Sequence, residues 1–396
     1  MPGRDTEGPS TRAVHAGSTS DPDRGPLVTP IHLSSTFSSR NTGELVEYLE
    51  GRRDGNFYSR YSNPTVEAVE ERLAALEGAE KALCFGSGMA AVSSLLLSQL
   101  KQGDHLVATR DLYGGTHELL ALLPPRWGID VTLIPSNETR SLDRAIRPTT
   151  RLVYTETPTN PLLAVVDLEA VAAISRRHGV PCAVDSTFAS PMNQRPIAFG
   201  FDFVVHSATK YLGGHCDLLG GVVMGSRDRM RDVWQYRKVL GGVLDPHPAY
   251  LLERGLKTLS LRMERHNENG LQIARHLADH SRIRRVNYPG LPEHPGHEIA
   301  ARQMSGFGGV ISFELDATRE ETARFVDSLS LASLAPSLGG VETLVSQPSL
   351  TSHYHLNPEE RAAQGISDSL VRLSVGIEDA VDLIRDLDRA LEAIQP

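Results

Sequence analysis

Short apolar runs alternate with amphipathic stretches through the middle of the chain. Apolar side chains recur every three or four positions from Val66 to Leu76, which predicts an amphipathic helix. Runs typical of buried strands follow, several of them separated by helical spacings, at 82–85, 105–109, 131–134, 151–155, 181–185, 203–207 and 221–224. This alternation predicts an α/β fold with a mostly parallel central sheet covered by helices.

The two ends of the chain have different patterns. Residues 1–62 show little periodicity, and their prolines favour an extended arm. Because this arm ends in Tyr58, Arg60 and Tyr61, we expect it to contact a neighbouring subunit; the alternative is a surface loop. After a helix-rich stretch at 248–280, strands are expected at 309–315 and 370–374, with helices at 319–328, 358–364 and 380–394. We therefore expect an arm over 1–62, a large domain over 63–250, and a smaller C-terminal α+β domain over 251–396 that includes the connecting helix.

Composition narrows the classes of function. The chain has 396 residues, of which 40% are hydrophobic, and a net charge of −9, which argues against nucleic-acid or anionic-membrane partners. The first 17 residues are polar and unlike a signal peptide, and the three cysteines are scattered, so a cytoplasmic location is expected. The closest histidine pairs, His294 with His297 and His353 with His355, lie in loop-like segments and do not predict a metal site.

A lysine follows the strand predicted at 203–207, which begins with the apolar run 203–205. Lys210 follows Ser207 and Thr209, so it lies at the carboxyl rim of the predicted sheet, where ligands bind in open α/β folds. Partial burial there lowers the pKa of an amine, which can then form a Schiff base with a carbonyl compound. The alternative is a lysine that ends a strand and points into water.

A glycine turn follows the first apolar run and opens a helix. Gly86, Ser87 and Gly88 place backbone N–H groups at a helix N-terminus, which suits a phosphate. With Ala91 the turn also matches a dinucleotide fingerprint, and Asp111 stands roughly where an NAD-binding acid is expected. A nicotinamide-dependent oxidoreductase is therefore an alternative on this motif.

Three further residues carry candidate chemistry, each with a plainer alternative. Asp185 ends an apolar run and suits the protonated nitrogen of a heteroaromatic ring, or else caps a helix. Tyr113 stands before two glycines and suits stacking on a flat cofactor, or else anchors a loop. Arg372, inside an apolar run, suits a substrate carboxylate, or else forms a structural salt bridge.

Together these residues meet the separate demands of pyridoxal phosphate (PLP). The sequence resembles the Cys/Met-metabolism (trans-sulfuration) enzymes of PLP fold type I over nearly the whole chain. The resemblance rests on Tyr58-Ser59-Arg60, on the segment 206–215 and on the segment 372–379. It implies an aspartate-aminotransferase-like fold and a PLP-dependent lyase or transferase.

The resemblance also implies roles for cofactor-binding residues. Lys210 would hold the cofactor and move protons between substrate carbons. Asp185 would bind the ring nitrogen, and Tyr113 would stack on the ring and help the leaving group depart. The phosphate would be held by Gly88, Met89, Ser207 and Thr209.

The substrate side and the assembly follow from the same resemblance. Asn160, Ser337 and Arg372 would hold the ring oxygen side and the substrate carboxylate. Tyr58 and Arg60 would reach the phosphate of a neighbouring subunit, so a homodimer is the minimum and a homotetramer is expected.

The implied reaction is γ-replacement, with a thiol as co-substrate, or γ-elimination, as in cystathionine γ-synthases and γ-lyases. Several positions depart from familiar members of the family. Gly115 replaces a cysteine of some methionine γ-lyases, and Glu118 lies where an arginine is frequent and would repel a distal carboxylate. Pro336 replaces a glutamate of animal-type γ-lyases and, with Gln347-Pro348, is similar to plant-type γ-synthases; Ser186 and Cys216 also depart. Methionine γ-lyase-type cleavage and loss of a non-sulfur group, such as a halide, stay open as alternatives.

Overall fold

The computed structural model describes residues 7–17, 25–354 and 357–394. Within them the chain forms one sheet of seven strands and one of five, with helices packed around both. None of the helices in these ranges is long and apolar enough to cross a membrane.

The larger sheet carries the rim at which Lys210 was expected. Its strands β2 to β6 run parallel, whereas β7 is antiparallel to both β6 and β1, and the spatial order is β1-β7-β6-β5-β4-β2-β3. The strands are β1 (Lys81–Phe85), β2 (His105–Thr109), β3 (Asp130–Ile134), β4 (Thr150–Glu156), β5 (Cys182–Asp185), β6 (Phe203–Ser207) and β7 (Gly221–Gly225). Because β4, β5 and β6 are parallel neighbours, their last residues lie along one edge.

Helices bury both faces of this sheet. Val204 and Val205, successive residues of β6, enter different apolar clusters, since neighbouring side chains of a strand point to opposite faces. This explains why the central strands are continuous apolar runs. The helices up to the end of the connecting region are α1 (Pro9–His15), α2 (Thr42–Leu49), α3 (Pro64–Glu77), α4 (Gly88–Gln99), α5 (Gly114–Trp127), α6 (Thr139–Ala145), α7 (Leu168–His178), α8 (Ser190–Asn193), α9 (Arg227–Leu240), α10 (Pro246–Leu256) and α11 (Leu259–Ala278).

The smaller sheet has its own apolar core, which includes Phe313, Phe325 and Leu387. Its strands are β8 (Ile283–Asn287), β9 (Val310–Leu315), β10 (Ser333–Leu334), β11 (Leu344–Ser346) and β12 (Leu370–Ser374), in the order β10-β11-β12-β9-β8. Around them lie α12 (His297–Gln303), α13 (Arg319–Ser328), α14 (Pro358–Ala363) and α15 (Ala380–Ala393). Only the β10–β11 pair is parallel among the pairings of this sheet in the described residues.

The predicted α/β architecture is confirmed, and β2, β6 and β12 have the bounds expected from the apolar runs. The expectation of little periodic structure before residue 62 missed α1 and α2, because α2 buries no side chain and gives a weak signal. The charged strand β8 was also missed, since its Arg284 and Arg285 are exposed at the edge of the sheet. The division at residues 62 and 250 stays a prediction.

Candidate active site

Lys210 lies in the turn that follows β6, and its side chain points toward the smaller sheet. Its backbone N–H donates to the carbonyl of Ser207 at 3.2 Å, and its Nζ donates to Ser337 Oγ at 2.7 Å. Burial, and to a smaller extent the positive charge of Arg372, lower the pKa of the Lys210 ammonium to about 8. An amine with this pKa exchanges protons readily near neutral pH.

Arg372 is buried in the middle of β12 and is held by neutral acceptors. Its Nη1 donates to Asn160 Oδ1 at 3.0 Å, and its Nη2 donates to the carbonyl of Ser337 at 2.9 Å. Its Nε has no partner, and the structural salt bridge considered above is not formed within the described residues. A buried guanidinium without a carboxylate can accept one from a ligand.

Asp185 is the last residue of β5 and is buried. Its Oδ1 accepts from the backbone N–H of Thr187 at 3.0 Å and from the Thr187 hydroxyl at 2.5 Å. The Thr187 Oγ1 in turn accepts from the backbone N–H of Ser207 at 2.8 Å, which ties β5 to the turn before Lys210. Burial raises the pKa of Asp185, and the Thr187 hydrogen bonds oppose that rise. Asp185 therefore shapes a local turn rather than capping α8, and a cationic ring nitrogen would suit its carboxylate.

The turn between β1 and α4, called the anion cradle below, is the predicted phosphate site. Ser87 caps α4 by accepting from the N–H of Ala90 at 3.0 Å, while the N–H groups of Gly88 and Met89 belong to the first turn, which lacks intrahelical acceptors. A Cβ on Gly88 would lie 3.0 Å from Ser207 Cβ. Glycine at this position thus lets the helix N-terminus approach Ser207 closely, as a phosphate site requires.

Tyr113 precedes α5 and is 51% exposed. Its backbone N–H donates to Glu156 Oε2 at 2.7 Å, and a Cβ on Gly115 would lie 2.8 Å from its ring. Gly115 therefore lets the Tyr113 ring lie against the first turn of α5. The exposed ring is available for stacking on a flat ligand.

Three predicted cofactor residues have other contacts in this chain. The Thr209 hydroxyl donates to the Gly220 carbonyl at 3.2 Å and accepts from the Gly220 N–H at 3.0 Å. Arg60 donates to the carbonyl of Lys238 at 2.6 Å, and its guanidinium lies 5.4 Å from the ring centroid of Tyr58. Their predicted contacts with a phosphate stay predictions.

Glu118 is exposed on α5 and lines a small cleft of about 70 Å³. The same cleft is lined by His117, Asn160 and His353. Because Asn160 Oδ1 also accepts from Arg372, the cleft adjoins the residues that are predicted to bind the substrate carboxylate. The predicted repulsion between Glu118 and a substrate's distal carboxylate stays a prediction.

Sequence reasoning missed two residues that the structure brings into this group, Glu156 and Thr187. Thr187 had a usable signal, since a threonine two residues after an acid often closes a turn on it. Glu156 lay within the polar segment 155–161, where nothing in one sequence singles it out.

The dinucleotide alternative does not fit the sheet. The strand before the glycine turn, β1, lies at the edge of the larger sheet and is antiparallel to its neighbour β7. A dinucleotide fingerprint follows a central strand of a parallel sheet.

Among the described residues no group of three or more metal-ligating side chains occurs; His294 Nδ1 accepts from the N–H of Gly296, and His355 lies outside the described residues.

The residues at the rim fit pyridoxal phosphate. They provide an amine of lowered pKa, a buried acid without a cationic partner in the described residues, an exposed aromatic ring and a helix N-terminus against a serine. The fold and this group of residues define an enzyme of PLP fold type I.

Comparison with known proteins agrees. The chain belongs to the Cys/Met metabolism PLP-dependent enzymes, whose family model matches residues 10–392. The predicted cofactor is thereby confirmed, and the nicotinamide alternative is wrong.

Named relatives narrow the reaction class. The chain is 44% identical over 369 residues to cystathionine gamma-synthase 1 of Arabidopsis thaliana, a chloroplastic protein; the match covers 93% of this chain and 66% of that one. It is 42% identical over 385 residues to cystathionine gamma-lyase of Bacillus subtilis, covering 97% and 99%. The crystal structure of metB from Corynebacterium glutamicum superposes with a TM-score of 0.92 at 41% identity, covering 99% of this chain and 100% of that one. These findings confirm the predicted class, PLP-dependent replacement or elimination in sulfur amino-acid metabolism.

Proposed function

We propose that the chain catalyses γ-replacement or γ-elimination on an L-amino acid that carries a leaving group on Cγ, as a cystathionine γ-synthase or γ-lyase does. The observation that carries this proposal is the contact between Lys210 Nζ and Ser337 Oγ, with Arg372 bonded to the carbonyl of the same serine. A proton-carrying amine thus lies next to a group that can hold the substrate carboxylate.

Each residue of the site would have a separate role in the reaction. Bound PLP supplies an electron sink for the substrate's α-carbon. Lys210 would take the α-proton and return protons to neighbouring carbons, since at pH 7 about a tenth of an amine with a pKa of about 8 is neutral. Arg372 would orient the substrate carboxylate, Asp185 would hold the ring nitrogen, and Tyr113 would stack on the ring and assist the leaving group.

Elimination and replacement share these residues and part only when a thiol or water meets the common product of γ-group loss. Pro336 and Gln347-Pro348 favour a synthase-type replacement. Glu118, in the cleft beside Asn160, disfavours a distal carboxylate and favours methionine-like or non-sulfur leaving groups instead. Pro336 and Gln347-Pro348 thus point to a synthase-type substrate, whereas Glu118 points to a substrate without a distal carboxylate.

A substrate panel tests the proposal. The purified PLP-loaded protein is assayed with cystathionine, methionine, O-acylhomoserines and γ-halo amino acids, with and without cysteine, for 2-oxo acid and for thioether product. We expect turnover of at least one γ-substituted substrate and none in the matched Lys210→Ala variant. No turnover of any γ-substituted amino acid, or equal turnover in Lys210→Ala, would contradict the assignment.

We further propose that the active unit holds at least two copies of the chain and is a homotetramer, with Tyr58 and Arg60 serving the partner's site. The arm supports this, because Leu27 and Leu33 are 91% and 71% exposed. Light scattering would give the mass. Mixing an Arg60→Ala variant with a Lys210→Ala variant should restore part of the activity if sites are shared, and no restoration after subunit exchange would contradict sharing.

We infer a cytoplasmic location from the state of the cysteines. Cys84, Cys182 and Cys216 are all unpaired thiols, which is typical of a reducing compartment. Localisation of a tagged full chain would test this inference, and a secreted or organellar signal would contradict it.

A further inference from the structure

Glu156 ends β4 as a buried acid that reaches two other segments of the site. It is 3% exposed, and its Oε2 accepts from the backbone N–H of Tyr113 at 2.7 Å. The backbone N–H of Asn160 also donates to this carboxylate. Glu156 therefore fixes the main chain at a proposed stacking residue and at a proposed substrate-binding residue.

The side chain of Asn160 extends this arrangement. Its Oδ1 accepts from Arg372 Nη1 at 3.0 Å. One carboxylate thus anchors the Tyr113 segment directly and the Arg372 side chain through Asn160. A shift of Glu156 would move both ends of the site, the ring-stacking side and the carboxylate-binding side.

Burying the Glu156 carboxyl group next to a second acid costs folding free energy. It is in register with Asp185 on the neighbouring parallel strand, so the two acids project from the same face of the sheet. Neither acid has an ion-pair partner in the described residues, and burial, followed by the charge of Asp185, raises the pKa of Glu156 well above its usual range. An apolar residue would pack at this position without that cost. The hydrogen bonds that Glu156 accepts from the backbone N–H groups of Tyr113 and Asn160 explain why an acid occupies this position.

We propose that Glu156 is a positioning residue: by accepting the N–H groups of Tyr113 and Asn160, it sets the Tyr113 ring and the Arg372 guanidinium around the cofactor site. The proposal rests on the functions proposed above for Tyr113, Asn160 and Arg372. It assigns no contact between Glu156 and the substrate or the cofactor.

The test compares Glu156→Ala, which removes the acceptor, with Glu156→Gln, which keeps an acceptor oxygen at the same reach. The readouts are the Kd for PLP by visible absorbance, the visible circular dichroism of the bound cofactor, and kcat and KM. We expect Glu156→Ala to weaken PLP binding, alter the dichroism and lower kcat/KM by about 100-fold, because a misplaced group loses near-attack geometry. Glu156→Gln should stay within about tenfold of wild type, because its amide oxygen keeps a hydrogen-bond acceptor at the same reach.

A matched control separates positioning from folding. Asp386 is also a buried carboxylate that accepts backbone N–H groups, from Ser330 at 3.0 Å and from Leu331 at 2.8 Å, but it lies on α15. Asp386→Ala should lower the melting temperature and leave the PLP Kd and dichroism unchanged. If Glu156→Ala does not fold, Glu156→Asp replaces it, because the shorter acid cannot reach the Tyr113 N–H as Glu156 does.

Two outcomes overturn the proposal. One is a Glu156→Ala (or Glu156→Asp) protein with wild-type PLP affinity, dichroism and kcat/KM. The other is a Glu156→Gln protein as impaired as Glu156→Ala, because then the acceptor geometry does not explain the residue. Failure of the function proposed above is distinguishable, since it would appear as inactivity of the wild-type protein.

Discussion

The amine of Lys210 donates a hydrogen bond of 2.7 Å to the hydroxyl of Ser337, and this contact joins the two sheets of the molecule. Lys210 follows β6 of the larger sheet, and Ser337 lies between β10 and β11 of the smaller one. Ser337 has a backbone φ of +101°, a conformation that favours glycine. In this conformation its hydroxyl meets Lys210 while its carbonyl meets Arg372, so the strained backbone serves both contacts.

Two substitutions of Ser337 distinguish the contribution of its hydroxyl to activity from the cost of its backbone strain to stability. Ser337→Ala and Ser337→Gly both lose the hydroxyl, so we expect similar decreases in kcat/KM. Only glycine relieves the positive φ, so Ser337→Gly should be more stable than Ser337→Ala by roughly 1 kcal/mol. Urea unfolding and steady-state kinetics of the two variants check this, and a Ser337→Ala protein that is the more stable of the two would contradict the strain.

The lowered pKa of Lys210 predicts a pH dependence of cofactor loading. Below pH of about 8 the Lys210 amine is mainly protonated and unreactive, and above it the neutral amine predominates. We therefore expect the rate constant for PLP incorporation into the apoprotein to rise with pH and level off above a midpoint near 8. Stopped-flow absorbance measures it.

The Arg372 charge gives that pH experiment a control. Because Arg372 lowers the pKa of Lys210, Arg372→Gln should move the midpoint to higher pH. A profile that stays flat from about pH 7 to 9, or a midpoint that Arg372→Gln leaves in place, would show that Lys210 is not perturbed in this way.

Residues whose position follows from one strand were predictable, and those set by distant partners were not. The position of β6 follows from the apolar run 203–205, because both faces of the strand are buried, and the place of Lys210 at the rim follows from β6. Ser337 is 127 residues from Lys210, and Glu156 is 43 residues from Tyr113. Such pairings depend on how the sheets pack, and periodicity carries no information about them; Ser337 was found only through the family resemblance.

The charge of Glu118 predicts a substrate preference. Glu118→Gln removes a negative charge from the cleft shared with Asn160, so KM for substrates with a distal carboxylate, such as cystathionine, should fall. Because Glu118 is exposed and screened, the expected change is only about threefold, within the energy of a surface charge pair. KM for methionine should not change.

The matched control for this change is Glu169→Gln, an acid in the first turn of α7. It alters the net charge by the same amount at a position outside the cleft. If Glu169→Gln changes the cystathionine KM as much as Glu118→Gln does, the effect is one of net charge, and Glu118 does not set the preference.

The buried ion pair between Glu70 and Arg237 predicts a large loss of stability upon truncation. Arg237 Nη1 contacts Glu70 Oε1 at 2.5 Å and donates to the carbonyl of Cys84 at 3.0 Å, while Glu70 Oε1 accepts from the N–H of Cys84 at 2.8 Å. Cys84 lies in β1, just before the glycine turn of the anion cradle. Arg237→Ala would leave the Glu70 carboxylate buried without this partner, and we expect the free energy of unfolding to fall by about 3 kcal/mol.

Arg231, on the same helix α9, provides the control for Arg237. Its pair with Asp228 has side chains that are 77% and 92% exposed, so Arg231→Ala should change the unfolding free energy by less than about 1 kcal/mol. The double variant Arg237→Met with Glu70→Leu removes both charges and should recover much of the stability, since an apolar pair avoids the cost of an isolated buried charge. Urea unfolding of the PLP-loaded proteins measures all three. If Arg237→Ala and Arg231→Ala unfold alike, the buried pair does not stabilise β1, and the cradle does not depend on it.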